Sequence, residues 1–137
     1  MILKLYPLIL LGPLPVELIN STLGTELESG DAILTSRAHE HIATDHADEY
    51  VAVMTHIQLL ISAPTYIGQS PRHGGEFEMV RRVIIPGGDE IILAGINLTV
   101  NEFGNYNVHS AYRLTEERVT RRIQRGHLCF PKKKGPR

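Results

Sequence analysis

The sequence predicts an α+β domain in which helices early in the chain pack on one face of an antiparallel sheet. Three observations predict it. Apolar residues recur at three- and four-residue spacing before Pro64, most clearly at Val51, Met54, Ile57, Leu60 and Ile61. After Pro64 the pattern turns to strand-like runs over residues 76–85 and 90–100, separated by Pro86, Gly87, Gly88 and Asp89. Helices that precede strands, rather than alternate with them, segregate to one side of a sheet. The other face is then free to bind something.

Taken in order, residues 15–23 read as a short helix ended by Gly24, and a polar loop follows to Gly30. Ala32, Ile33 and Leu34 form a short apolar run. Ser36 is a good N-cap for a helix through His46, and a second helix covers residues 48–61. A short strand is expected over residues 65–68. Glu76, Phe77, Glu78 and Met79 then alternate as a half-buried strand should, and residues 90–100 are apolar enough for a central strand. The two read as a hairpin. A turn over residues 101–107 leads to a last strand at 108–114, and Thr115 caps a basic helix that closes at Gly126. The sheet is thus a meander of three or four strands.

With 137 residues the chain is expected to form one domain with its own core. A single cysteine, Cys129, excludes an intramolecular disulfide and a cysteine-rich zinc site. The first eighteen residues are apolar, yet Pro7, Pro13 and Pro15 interrupt them, which favours a packed strand or arm over a membrane span. Net charge is −1, unevenly spread. Residues 17–50 carry eight acidic side chains against Arg37, and residues 113–137 carry nine basic ones against Glu116 and Glu117. Such a basic end suits a polyanion, or an acidic partner surface.

Three of the seven histidines, His39, His41 and His46, fall within eight residues. On a regular helix His39 and His41 lie about 200° apart and His41 and His46 about 140° apart, at about 100° per residue. The four-residue spacing that a helical metal site prefers is missing, so neither metal nor cofactor is expected. Proton transfer is the better use of these imidazoles. Cleaving RNA without a metal needs a base for the ribose 2′-hydroxyl, an acid for the departing 5′-oxygen, and cations or hydrogen-bond donors for the phosphate. Candidates are His41 and His46, Ser110 and Tyr112 on the last strand, and Arg81, Arg82 and Arg113 for the phosphate. His109 is a candidate by neighbourhood alone. His39, His56, His73 and His127 carry no assigned role.

His41-Ile42-Ala43-Thr44-Asp45-His46 resembles the H-I-x-x-x-H helix of phage-encoded barnase-EndoU-colicin-RelE-like nuclease domains. Ala63-Pro64-Thr65-Tyr66-Ile67 is similar to their P-x-x-I strand, Ser110-Ala111-Tyr112 to the final S/T-A-Y strand, and residues 121–126 to the closing basic helix and glycine. The resemblance spans residues 31–130, with residues 1–30 as an N-terminal arm or extension and 131–137 as a basic tail. It implies a barnase/RelE-like fold, with N-terminal helices packed on a four-stranded antiparallel sheet and RNA on the exposed face. It also implies metal-independent cleavage that leaves a 2′,3′-cyclic phosphate. In this alignment His41 and His46 take the helix positions, Ser110 and Tyr112 those of the last strand.

The function expected is therefore an endoribonuclease, a phage or mobile-element toxin acting on tRNA or other RNA in the cytoplasm of a bacterial host. An immunity or antitoxin protein is an expected partner, and a membrane is not. The rival reading is a non-catalytic phage accessory domain that binds RNA or protein, its acidic and basic segments able to pair between subunits.

Overall fold

Local signals place the helices where the sequence expects them. In the computed structural model, which describes residues 5–69, 72 and 74–133, the elements are β1 (Ile9–Pro13), α1 (Val16–Leu23), β2 (Asp31–Leu34), α2 (Ser36–Asp45), α3 (Tyr50–Ser62), β3 (Tyr66–Gly68), β4 (Glu76–Val83), β5 (Glu90–Asn97), β6 (Tyr106–Arg113), α4 (Glu116–Gln124) and β7 (Leu128–Cys129). The cap of α2 is Thr35 rather than Ser36, its hydroxyl accepting from the Ala38 amide at 3.1 Å. Thr115 caps α4 in the same way through the Arg118 amide. The first four residues and residues 134–137, which include most of the basic tail, lie outside the described residues, as does His73.

The expected four-stranded antiparallel sheet is not what forms. All seven strands join one mixed sheet in the order β1-β2-β6-β5-β4-β3-β7. The meander β3–β6 is antiparallel as read, but β2 adds to β6 in parallel, with Ala32 opposite Tyr106 and Leu34 opposite Val108. β1 pairs outside β2, and β7 pairs outside β3. The physical reason is burial. Ala32 and Leu34 are fully buried, and so short an apolar run can only satisfy its backbone inside a sheet. The barnase/RelE-like arrangement implied by the resemblance is therefore corrected to a larger, mixed sheet.

Helices also occupy both faces rather than one. On the first face α1, α2 and α3 bury Ile19, Ile42, Val53, Ile57 and Leu60 against Phe77, Met79, Ile92, Ala94 and Val108. On the second face Val119 of α4 packs with Tyr66, Val80, Ile91, Leu93 and Leu128. The unbroken apolar run of β5 follows from this, since residues 91–96 are buried on both sides.

Charge fixes α4 at its N-terminus. The Arg82 guanidinium grips both oxygens of Glu116, with Nη2 3.0 Å from Oε2, and also pairs with Asp89 at 3.1 Å. Hydrogen bonding from Arg82 holds the Glu116 carboxyl below the usual carboxylate range. A carboxyl depressed in the folded state contributes stability above its unfolded pKa and loses it as pH falls through its folded one. Thermal unfolding followed from neutral to acid pH is thus expected to show wild-type protein above Arg82→Met at neutral pH, with the gap closing in acid.

Candidate functional site

β2 stops at Leu34, whereas β6 continues to Arg113. From Thr35 onward α2 takes the place of β2 and packs against β6. Residues 37, 40, 41 and 44 form one stripe of that helix, because positions three and four apart share a face. The stripe and His109 of β6 line a cleft of about 500 Å³ together with Thr35 and Ala38. The inward stripe, Ala38, His39 and Ile42, is buried.

His41 and His46 are brought together by the end of the helix. α2 stops at Asp45, and His46 has φ −126° and ψ 42°, so its ring leaves the helical path. The two imidazoles lie 5.6 Å apart, edge to face, where a continued helix would separate them. Each Nδ1 meets a carboxylate: His41 lies 2.9 Å from Asp45 Oδ2, and His46 is hydrogen-bonded to Glu49 Oε2 at 3.0 Å. A carboxylate only accepts, so the Nδ1 of His46 must donate, and its neutral ring then keeps a lone pair on Nε2. The other oxygen of Glu49 accepts from the Arg113 amide at 3.3 Å, which ties the α2–α3 junction to β6.

The ring of His46 stacks over Tyr112 at 6.1 Å between centroids. Tyr112 points to the second face of the sheet, where Arg122 of α4 donates to its hydroxyl at 3.4 Å and to Glu78 at 2.6 Å. Burial pushes the Tyr112 phenol up, against the pull of the Arg122 guanidinium, and the hydroxyl keeps its proton as a donor. Ser110, opposite Gly95, belongs to the same face.

His109 enters through an irregularity in the pairing of β5 and β6 between Gly95 and Ile96. Its ring passes over Gly95, so that Nε2 lies 3.1 Å from Glu76 Oε2 on β4. That nitrogen is sealed from solvent and makes no aligned hydrogen bond. Only a residue without a side chain leaves this space, since a Cβ on Gly95 would lie 2.6 Å from Ser110 Oγ and 3.1 Å from His109 Cε1.

Of the residues selected from sequence, His41, His46, Ser110 and Tyr112 thus fall on α2 and the adjoining stretch of β6. The phosphate candidates do not all follow. Arg81 turns away and donates to the Ala63 carbonyl at 2.8 Å, at the C-terminal end of α3. Arg82 is committed to Glu116 and Asp89. Arg113 reaches the site edge, 3.8 Å from Glu49 and 3.5 Å from Glu90. Arg122, Glu49, Glu76 and Glu78 were not selected, and His109 was noted for its neighbourhood alone. The alternation of Glu76, Phe77 and Glu78 put both carboxylates on one strand face, which was the available signal. His39, with no assigned role, is buried between the Pro7 carbonyl and the Tyr50 hydroxyl.

Among the described residues no group of three or more His, Cys, Asp or Glu side chains is placed to hold a metal ion, and no helix is long and apolar enough to cross a membrane. Compared with protein-family models, curated proteins and solved structures, the chain matches none.

Gly95→Ala is expected to cost about 1–3 kcal/mol of stability by overpacking. Urea unfolding should show part of that loss returning when Ser110→Ala removes the nearest atom.

Proposed function

We propose that this protein is an endoribonuclease whose site lies where the C-terminal end of α2 meets β6, beside the cleft that His41 lines. The observation that supports this most is the cluster of His46, with Nδ1 spent on Glu49, beside His41 and over a Tyr112 hydroxyl that Arg122 holds. A base, a second imidazole, a neutral hydroxyl donor and a guanidinium are the groups that phosphodiester transesterification needs.

In this reading His46 Nε2 takes the proton of a ribose 2′-hydroxyl. The 2′-oxygen bonds to the adjoining phosphorus, the bond from phosphorus to the 5′-oxygen breaks, and His41, as an imidazolium beside Asp45, returns a proton to that oxygen. The products are a 2′,3′-cyclic phosphate and a 5′-hydroxyl end. The Tyr112 hydroxyl donates to a phosphate oxygen in the pentacoordinate state, and Arg122, paired with Glu78, holds that hydroxyl in place and adds positive charge beside it. Glu49 orients the base without touching substrate. The likeness to phage-encoded nuclease domains enters through the helix histidines and the last strand, and extends the reading to a toxin of the bacterial cytoplasm, with tRNA or another RNA as target and an inhibitor protein covering the cleft.

Incubation of purified protein with tRNA in EDTA is expected to yield fragments ending in cyclic phosphate. His46→Ala should lower the rate about 10²–10⁴-fold, the usual share of a general base, with an unchanged circular dichroism spectrum. Retention of RNA on a filter without products would defeat the proposal in favour of a binding module, and cleavage by His41→Ala and His46→Ala at the wild-type rate would defeat this assignment of the site. Glu49→Gln keeps the side chain's size but removes its charge, and should lower kcat more than it raises KM.

A further inference from the structure

Tyr6 and Pro7, just before β1, reach the helix junction that carries His46. Among the described residues His39 is the one buried histidine, 4% exposed, on the inward stripe of α2. Burying an imidazole is unfavourable unless its nitrogens are bonded, and here both are. The Pro7 carbonyl can only accept, so Nδ1 donates to it at 2.9 Å. Nε2 is then left to accept from the hydroxyl of Tyr50. The ring lies at 19° to the plane of Tyr50 and meets the edge of Tyr6, with 5.4 Å between centroids. One side chain of α2 thus ties the residues that lead into β1 to the first residue of α3.

We infer that His39 is a positioning residue: it makes the segment before β1 a clamp on the α2–α3 junction and so fixes how the His46 imidazole is presented. This rests on the role given to His46 in the ribonuclease proposal. Tyr50 follows Glu49 directly in the chain, and Glu49 is the carboxylate that accepts from His46 Nδ1. Holding the Tyr50 ring therefore holds the start of α3, and with it the backbone of Glu49. Only residues 46–49 join the two helices, and the Glu49 amide closes them by donating to the His46 carbonyl at 2.9 Å. A shift at Tyr50 reaches His46 through this short, bonded turn. The other end of the clamp has its own support, because β1 pairs with β2 and packs against α3. An apolar ring in place of His39 would fill the same space; what the imidazole adds is a directional bond at each nitrogen. His39 acts through Tyr50 and Glu49 and touches no substrate.

The test follows the ring nitrogens of His46 by NMR of the intact, histidine-labelled chain in wild type, His39→Phe and Tyr50→Phe, the last of which removes only a hydroxyl. With Nδ1 bonded to Glu49, the neutral His46 ring of wild type is expected to show one protonated and one bare nitrogen. Both variants should draw these two signals toward the averaged values of a ring that exchanges tautomers. His39→Gln, whose amide still offers a donor and an acceptor, should restore them. Ile57→Val, a core change on α3 away from the clamp, should leave them as in wild type. Unmoved His46 signals in folded Tyr50→Phe, or an equal displacement in Ile57→Val, would overturn the clamp. In the tRNA assay kcat should fall about tenfold to a hundredfold in Tyr50→Phe with KM little changed, the scale of loss for a group misplaced by about 1 Å. Signals that move in a protein that cuts no RNA keep the clamp and lose the ribonuclease reading. Cleavage at the wild-type rate with unmoved signals does the reverse.

Discussion

The site depends on a change of partner along one edge of β6. Its first half pairs with β2 through ladder hydrogen bonds, and its second half is bordered by α2. Thr35 makes that change, extended at φ −65° and ψ 155°, as the last residue before the helix and the acceptor that caps it. A strand continued beside β6 would fill the space with backbone. A helix stands off by the length of its side chains, and between it and the strand there is room for a cleft. Ala38 and Ile42 hold α2 down while its polar stripe faces outward.

Glu49 does for the C-terminal end of α2 what Thr35 does for its start. It begins α3 in an αR conformation without capping it through its side chain, and both of its oxygens are used elsewhere. One orients the His46 imidazole and the other receives the amide of Arg113. Removing that carboxylate would free the ring and release the helix junction from the strand together. A residue that orients and anchors at once leaves the junction between α2 and α3 little freedom.

The second face is shaped by charge at one end and by a missing side chain at the other. Arg82 and Glu116 fix the start of α4, and Val119 seats it on the sheet, so that Arg122 arrives over Tyr112 and Glu78. Beyond it Gly95 leaves the floor low enough for His109 to reach across β5 to Glu76. Acidic side chains stand beside the arginines and imidazoles throughout: Glu78 by Arg122, Glu49 by His46 and Asp45 by His41. Net charge for the whole chain is −1.

Three- and four-residue spacing at Val51, Ile57 and Leu60, capping at Thr115, and the turn at Gly87 and Gly88 determined by themselves where α3, α4 and the β4–β5 hairpin lie. These signals are local, because a helix or a hairpin satisfies its backbone within a few residues. The residue types of the site were legible for the same reason, since His41, His46, Ser110 and Tyr112 are neighbours on two elements. Tertiary structure alone decided that β2 joins β6 in parallel, that β1 and β7 extend the sheet, and that α4 covers its second face. It also decided that His46 leaves the helix to meet His41, and that Arg122, not Arg81 or Arg82, reaches Tyr112. Such pairings join segments far apart in the chain. They are chosen by which apolar surfaces must be buried together, and no periodicity within a single segment records that choice.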